Sequence, residues 1–336
     1  MSVAGGYAPQ GAIGAELEAI THRSFIPAVI VQIGQATPYL AAMLSNAQPA
    51  SGGLASITVP IQGAPLVTPQ ATDFFGSFDQ PTEQVGLQDA AMNLCAVVVP
   101  IGFLGFQALV QLDAAVVPKI EAVMNDVGQQ TAAFLTTDFL TNATAGTIHV
   151  DGLPLIGNNT GLYANIDRTT INTFWRGNKL AAPGGTPAPT RKLVSRIIAS
   201  AAKANGGEMP THGLCGLGTW SLLQEDFQGL EIIQRTPADG MAGGGLTMRS
   251  GFNALLINGV PIYADLGVPE GTFYFFNTRY LSAYIHEAAA FVFTGFASMM
   301  PVRQIGYIGA MIVVLQQVCT KPASITTAPG YGSNSL

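Results

Sequence analysis

Apolar residues recur at three- and four-residue spacing in two long stretches and at two-residue spacing in several short ones, and this alternation divides the chain. From Asp113 to Leu140, the residues Val116, Ile120, Val123, Met124, Val127, Thr131, Phe134, Leu135 and Asp138 share a helical face. The spacing predicts a helix with Asp113 as N-cap and Gly128 as its weak point. About 28 residues at 1.5 Å each make it roughly 40 Å long. A second amphipathic helix is expected over Thr190–Lys203, with Leu193, Val194, Ile197, Ile198 and Ala201 inward. Shorter helical patterns cover Ala15–His22 and one or two segments of Ala28–Ser45 around Pro38. Strand patterns begin at "SGGLASITVPI" (51–61), with "MNLCAVVVPI" (92–101) as the expected returning partner. The 30 residues between them are proline-rich and long for a structureless loop, which points to an outward β-hairpin. "HGLCGLGTWSLLQEDF" reads as a short strand and then a helix from near Thr219. From Phe252 to Cys319 nearly everything is strand, punctuated by turns at Asn258-Gly259, at Pro269-Glu270-Gly271 and near Pro301. The segments 141–189 and 239–251 read as loops, and the tail "SITTAPGYGSNSL" as flexible.

Composition changes this picture in one respect. Only 10% of the 336 residues are Asp, Glu, Lys or Arg, while 48% are apolar, against roughly 25% charged in an ordinary soluble domain. Such a chain meets lipid or buries its surface against other proteins. The longest uncharged apolar run, Leu94–Leu112, opens on β-branched residues and carries Pro100, Gly102 and Gly105. It therefore reads as a buried strand, a turn and a helix start, not a membrane span. The N-terminus has neither the basic start nor the apolar core of a signal peptide, so a cytoplasmic setting is expected. Cys95, Cys215 and Cys319 are far apart and form no pair, which fits inert buried thiols.

Charge is also segregated. No charged residue occurs in the 49 positions from Ser24 to Thr72, and up to Pro118 the only charges are Asp73, Asp79, Glu83, Asp89 and Asp113. Six prolines break the uncharged part, so an arm and loop that gain their burial from neighbouring subunits are expected. By contrast, Arg168, Arg176, Lys179, Arg191, Lys192, Arg196 and Lys203 follow one another with no acid between them. Intersubunit contact is expected between Asp73, Asp79 and Glu83 on one copy and this basic stretch, Arg168, Arg176 and Lys179 included, on the next. A net charge of −6 argues against a dedicated nucleic-acid binder.

No chemical constellation stands out. His212 and Cys215 match neither a zinc pair nor a nucleophile motif, and "GMAGGGLTMRSG" lacks the Lys-Ser/Thr ending of a phosphate loop. The sequence contains no Gly-x-Ser-x-Gly elbow. No catalytic residue, cofactor site or metal site is expected.

The strip "NALLINGVPIYADLGVPEGTFYFFNTRYLSAYI" resembles the strand, Gly-Val-Pro turn, Asp, Val-Pro-x-Gly turn and aromatic strand found in the major capsid proteins of tailed bacteriophages with the Hong Kong 97-like fold. "GLYANIDRTTINTFWRGN" is similar to the segment that follows the spine helix in many of them. The resemblance implies an α+β fold. Residues 1–50 would be an N-terminal arm, 51–98 an extended β-hairpin loop, 99–150 and 278–336 a peripheral domain with the spine helix 113–140, and 151–277 an axial domain. It further implies a non-enzymatic shell subunit that makes pentamers and hexamers around double-stranded DNA without sequence-specific binding. Its place would be the virion, assembled in the host bacterial cytoplasm, with no membrane. Portal and decoration proteins are implied partners, and a start close to the arm implies a separate scaffolding protein or none. The first lysine is Lys119, so no lysine crosslink from the loop is expected. Encapsulin-type nanocompartment shells share this fold and are the alternative. In this reading Asp265 and Glu270 are turn residues, the aromatics form two strand faces, and Arg279, His286 and Glu287 make structural or intersubunit contacts.

Overall fold

Two six-stranded sheets hold most of the strands, two separate two-stranded pairs hold others, and one long helix lies along the first sheet. The computed structural model describes residues 37–50, 56–62, 87–104, 116–146, 148–169, 172–228, 254–298 and 306–334. In chain order the elements are α1 (Pro38–Ser45), β1 (Gln48–Ala50), β2 (Ser56–Gln62), β3 (Leu87–Asn93), β4 (Cys95–Leu104), α2 (Val116–Thr141), β5 (Leu162–Tyr163), β6 (Ile166–Asp167) and β7 (Asn178–Lys179). Then follow α3 (Arg191–Ala204), β8 (His212–Cys215), α4 (Leu217–Gln228), β9 (Leu255–Ile257), β10 (Val260–Ala264), β11 (Phe273–Phe276) and β12 (Leu281–His286). The last strands are β13 (Val292–Phe293), β14 (Ala297–Ser298), β15 (Gly306–Cys319) and β16 (Thr326–Ala328).

The first sheet is organised by β15. One edge of it pairs antiparallel with β4 from Gly306↔Leu104 to Leu315↔Cys95, and the other takes β12, β13 and β14 in turn. β1 extends it by pairing parallel with β12. Because strand side chains alternate between faces, Cys95, Val97, Ile101, Met311, Val313 and Leu315 point into the core. The second sheet has the order β7-β16-β11-β8-β10-β9.

Helix α2 is the predicted spine, 26 residues long. Met124, Val127, Thr131, Leu135 and Asp138 are buried as the spacing requires. Phe134 is not: it is 40% exposed and stacks on His149 at 6.3 Å. Phe139 and Leu140 take the inner positions of the last turn. The predicted cap, Asp113, lies outside the described residues. Helix α3 forms where the pattern placed it, with Thr190 as N-cap accepting from Leu193 N.

Strand β11 joins the two cores. Its four residues are all buried, because Phe273 and Phe275 face the core beneath α3 and α4 while Tyr274 and Phe276 face the core beneath α2. The hydroxyl of Tyr274 donates to Leu140 O at 3.0 Å and so pins the second sheet to the end of the spine. The aromatic strip is thus two strand faces, as its alternation implies.

The structure corrects three expectations. The hairpin's returning strand is β3, registered from Ser56↔Asn93 to Gln62↔Leu87. The apolar run after Leu94 leaves it to pair with β15, along the ladder that ends at Gly306↔Leu104. Residues 37–50, assigned to an arm, are packed within their own chain: Tyr39, Leu40 and Met43 are fully buried, and Tyr39 meets Phe139 and Phe276 edge-on. The tail is ordered through Asn334. β16 is inserted between β7 and β11 in the second sheet, and Tyr331 packs on Phe273 at 5.4 Å. Small polar residues suggested flexibility, but strand pairing satisfies their backbone and Thr326 and Ala328 are fully buried. Residues 278–336 therefore do not all stay with the first sheet.

Candidate assembly interface

The polar residues of the aromatic strip and the turns around it are held by partners within the chain. Asp265 is buried and accepts from Tyr39 N at 3.2 Å and Gly267 N at 2.9 Å, fixing α1 and a turn together. Burial pushes its carboxyl up, and these two hydrogen bonds oppose the shift. Glu270 accepts from Gly218 N, Thr219 N and the Thr219 hydroxyl, so it caps α4 from a distant turn. Arg279 and Lys321 lie over the Tyr280 ring at 5.7 and 5.1 Å and each approach Glu208 at 3.9 Å; the Tyr280 hydroxyl donates to Glu208 at 2.8 Å. This cluster ties together the two crossings between the sheets. His286 accepts from Ala288 N at 3.2 Å.

His212 and Cys215 form no nucleophile pair. Burial holds the imidazole down at about 4, stacked between Tyr263 and Phe276, and pushes the Cys215 thiol well up. All three cysteines are free and buried. Among the described residues no three His, Cys, Asp or Glu side chains group as metal ligands, and no helix is long and apolar enough to cross a membrane.

The basic stretch divides on folding. Arg168 is fully buried, and its guanidinium donates to the carbonyls of Leu155 (2.9 Å), Ile156 (3.0 Å), Thr160 (3.2 Å) and Gly161 (3.3 Å). It also lies over the Tyr163 ring at 5.5 Å, which stacks on Trp175. Arg168 is therefore not available to a neighbour: a planar fork that satisfies four carbonyls of one loop has become part of that loop. Arg176 is half-buried and donates to Arg168 O at 2.6 Å and to Thr169 O. Lys179, Arg191, Lys192, Arg196 and Lys203 are exposed. Asp73, Asp79 and Glu83 lie outside the described residues.

Of two buried carboxylates, Asp138 lies on the inner face that the spacing of the spine predicts, whereas Asp151 carries no mark in the sequence. Asp138 accepts from Val150 N at 3.2 Å and sits 3.2 Å from His149 Nδ1, closing the loop after the spine onto its last turn. Asp151 is buried, and burial pushes its carboxyl up to about 7 against the pull of Arg168.

An apolar face remains open. On the first sheet Ile308↔Gly102, Ala310↔Pro100, Ile312↔Val98 and Val314↔Ala96 lie side by side, with Val292 beside Ile312. Val98 is 54%, Ile308 43% and Val292 41% exposed. These residues carry no charge. Their sequence signal was the uncharged alternation of β4, which predicts a strand but not which side is left bare.

No protein-family model matches the chain, and no curated protein matches it. Solved structures do. The "Cyanophage A-1(L) capsid asymmetric unit" superposes with a TM-score of 0.62 at 15% identity, over 88% of this chain and 92% of that one. The capsid of a native GTA particle gives 0.57 at 11% identity over 87% and 90%. "The capsid of Myoviridae Phage XM1" gives 0.52 at 10% identity over 86% and 91%.

Proposed function

From the α+β capsid fold shared with these phage structures, the Hong Kong 97-like fold, we propose that the chain is the major capsid protein of a tailed double-stranded DNA bacteriophage, a non-enzymatic subunit that assembles as pentamers and hexamers into an icosahedral shell around the genome. The observation that carries the reading is the uncharged, exposed face of the first sheet, which a solitary soluble subunit would leave against water. In a shell it is covered by a neighbour. The first sheet with α2 corresponds to the peripheral domain, the second sheet with α3 and α4 to the axial domain, and β2–β3 to the base of the extended loop. Residues 326–334 belong with the axial part. DNA is held without sequence-specific contacts, and a scaffolding, portal or decoration protein completes the particle in the host cytoplasm.

The test is Val98→Asp with Ile308→Asp. Both side chains are exposed in the isolated chain, so the subunit should unfold at the wild-type denaturant midpoint yet form no closed particles by electron microscopy. Normal shells from this variant would overturn the reading. Nucleic-acid content of wild-type particles separates a genome shell from a compartment filled with protein cargo.

A further inference from the structure

The exposed residues of helix α3 are four cations and two alanines: Arg191, Lys192, Arg196, Ala199, Lys203 and Ala204. Val194, Ile197, Ile198 and Ala201 are buried on its other side. Lys192, Arg196 and Lys203 fall within about 40° of one another around the helix, at roughly 100° per residue, and span roughly 16 Å along it. The carboxylates at the two ends of the helix are engaged elsewhere. Asp226 of α4 accepts from Arg191 N at 2.8 Å in the first turn, and Glu208, just beyond the last turn, is held by Tyr280, Arg279 and Lys321. Among the described residues the ion pairs have only His149, Arg279 and Lys321 as cations, so the three aligned cations of α3 pair with no acid there. The net charge of −6 does not describe this region, because residues 168–207 hold seven cations and no acid. Arg168 and Arg176 are bound within their own loop, and folding leaves the row on α3 outward.

The composition of this face selects its partner. A protein partner is held by aromatic or aliphatic anchors in a dehydrated centre, and here the exposed residues among the cations are alanines. A phosphate backbone needs no such anchor, since a row of Lys and Arg releases its condensed counterions on contact. Duplex DNA carries one charge for about every 1.7 Å of axis, so a row of roughly 16 Å lies beside about nine phosphates. We propose that the outer face of α3 binds the phosphate backbone of duplex DNA without regard to sequence, through Lys192, Arg196 and Lys203. The inference rests on the shell reading, in which that DNA is the enclosed genome, and it names the surface that meets it. Phosphate contacts position a duplex and carry no sequence information, as a shell filled with a whole genome requires.

Fluorescence anisotropy with a labelled mixed-sequence DNA duplex tests it, in the non-assembling Val98→Asp, Ile308→Asp background so that single subunits are measured. Three phosphate contacts predict a slope of log Kobs against log salt of about −2.7, from about −0.9 for each. Lys192→Gln with Arg196→Gln and Lys203→Gln should remove nearly all of that slope and weaken binding about 100-fold or more at about 50 mM salt, whereas each single substitution should remove about 0.9 of it. AT-rich and GC-rich duplexes should bind alike. A wild-type surface that binds no duplex at about 50 mM salt, or a triple variant with an unchanged slope, would overturn the proposal. A poly-glutamate probe that binds more tightly than DNA at equal salt would make the face a protein-docking surface and overturn it too. In closed particles, acetylation of Lys192 and Lys203, read by peptide mass spectrometry, should be slower in DNA-filled shells than in emptied ones; equal rates would place the face away from the genome and refute the assignment. Glutamine is a good helix former, and should the triple variant still misfold by circular dichroism, the three single variants give the slope. Shells that close normally from a subunit without DNA affinity refute this inference alone, whereas a subunit that binds DNA with the expected slope and closes no shells refutes the shell reading alone.

Discussion

Replacing Arg168 by Met tests whether an arginine inside the subunit acts as a loop fastener. The methionine retains much of the stem but no donors, so the buried carbonyl of Ile156 loses its partner and that of Leu155 keeps only Asn158 N at 3.3 Å. The unsatisfied buried carbonyl costs about 1–3 kcal/mol and the hydrogen bond lost at Leu155 about 1 kcal/mol, and loss of the stacked cation over Tyr163 adds about 1 kcal/mol. The outer bonds to Thr160 and Gly161 are partly exposed, so water replaces them and they add little. The expected loss is about 3–5 kcal/mol, a large part of an ordinary domain's stability. Arg168→Lys should lose about half as much, since an ammonium keeps the charge but cannot fan across four carbonyls. The assay is urea unfolding in the non-assembling Val98→Asp, Ile308→Asp background, with Trp220→Phe leaving Trp175 as the sole indole. Trp175 stacks on Tyr163 at 6.0 Å and reports the region directly. The loss should be greater at about pH 8 than at about pH 5.5, because Arg168 favours Asp151 only when that carboxylate is ionised. A change under about 0.5 kcal/mol, the range of ordinary surface substitutions, would refute the argument.

Asp151→Asn should change how stability depends on pH. The folded carboxyl is pushed up to about 7 by burial, above an unfolded value near 3.8. Between those values the folded state binds the extra proton, so this group makes stability fall as pH rises through the window and then level off above it. The ionised form costs on the order of 4 kcal/mol. A neutral amide at this position has no such slope, and the variant should gain on wild type progressively from about pH 4 to about pH 7; parallel pH–stability curves would contradict the assignment. Gly177→Ala should destabilise strongly, because a Cβ there would overlap the backbone of Ile156 and Gly157. That backbone belongs to the loop Arg168 holds, and a wild-type melting temperature for the variant would show that the two stretches of chain are not so closely packed.

The elements most legible in the sequence are those whose burial follows a simple period. Thr190–Lys203 shows both its cap and its inner face, and the spine is readable because Met124, Val127, Thr131 and Leu135 repeat at helical spacing. Phe134 fits the same spacing yet is exposed, since the core covers a narrower arc than the apolar residues occupy. The aromatic strip from Tyr263 to Tyr284 could be read as strands and turns, but the roles of Asp265 and Glu270 could not: each carboxylate binds backbone amides far away in sequence. Arg168 and Lys179 look alike as charges along the chain. Only the folded loop encloses the first and leaves the second in water.

The sequence by itself determined the strands, the two long helices, the low charge that calls for covered surface, and the separation of acidic from basic segments. These depend on local period and composition, which no partner is needed to define. The tertiary structure decided which strand β4 joins, that residues 37–50 and the C-terminal strand lie within the subunit, and which cations face outward. Those outcomes depend on long-range pairing: a backbone ladder or a carbonyl cluster is available to a given residue only once distant chain has been brought beside it.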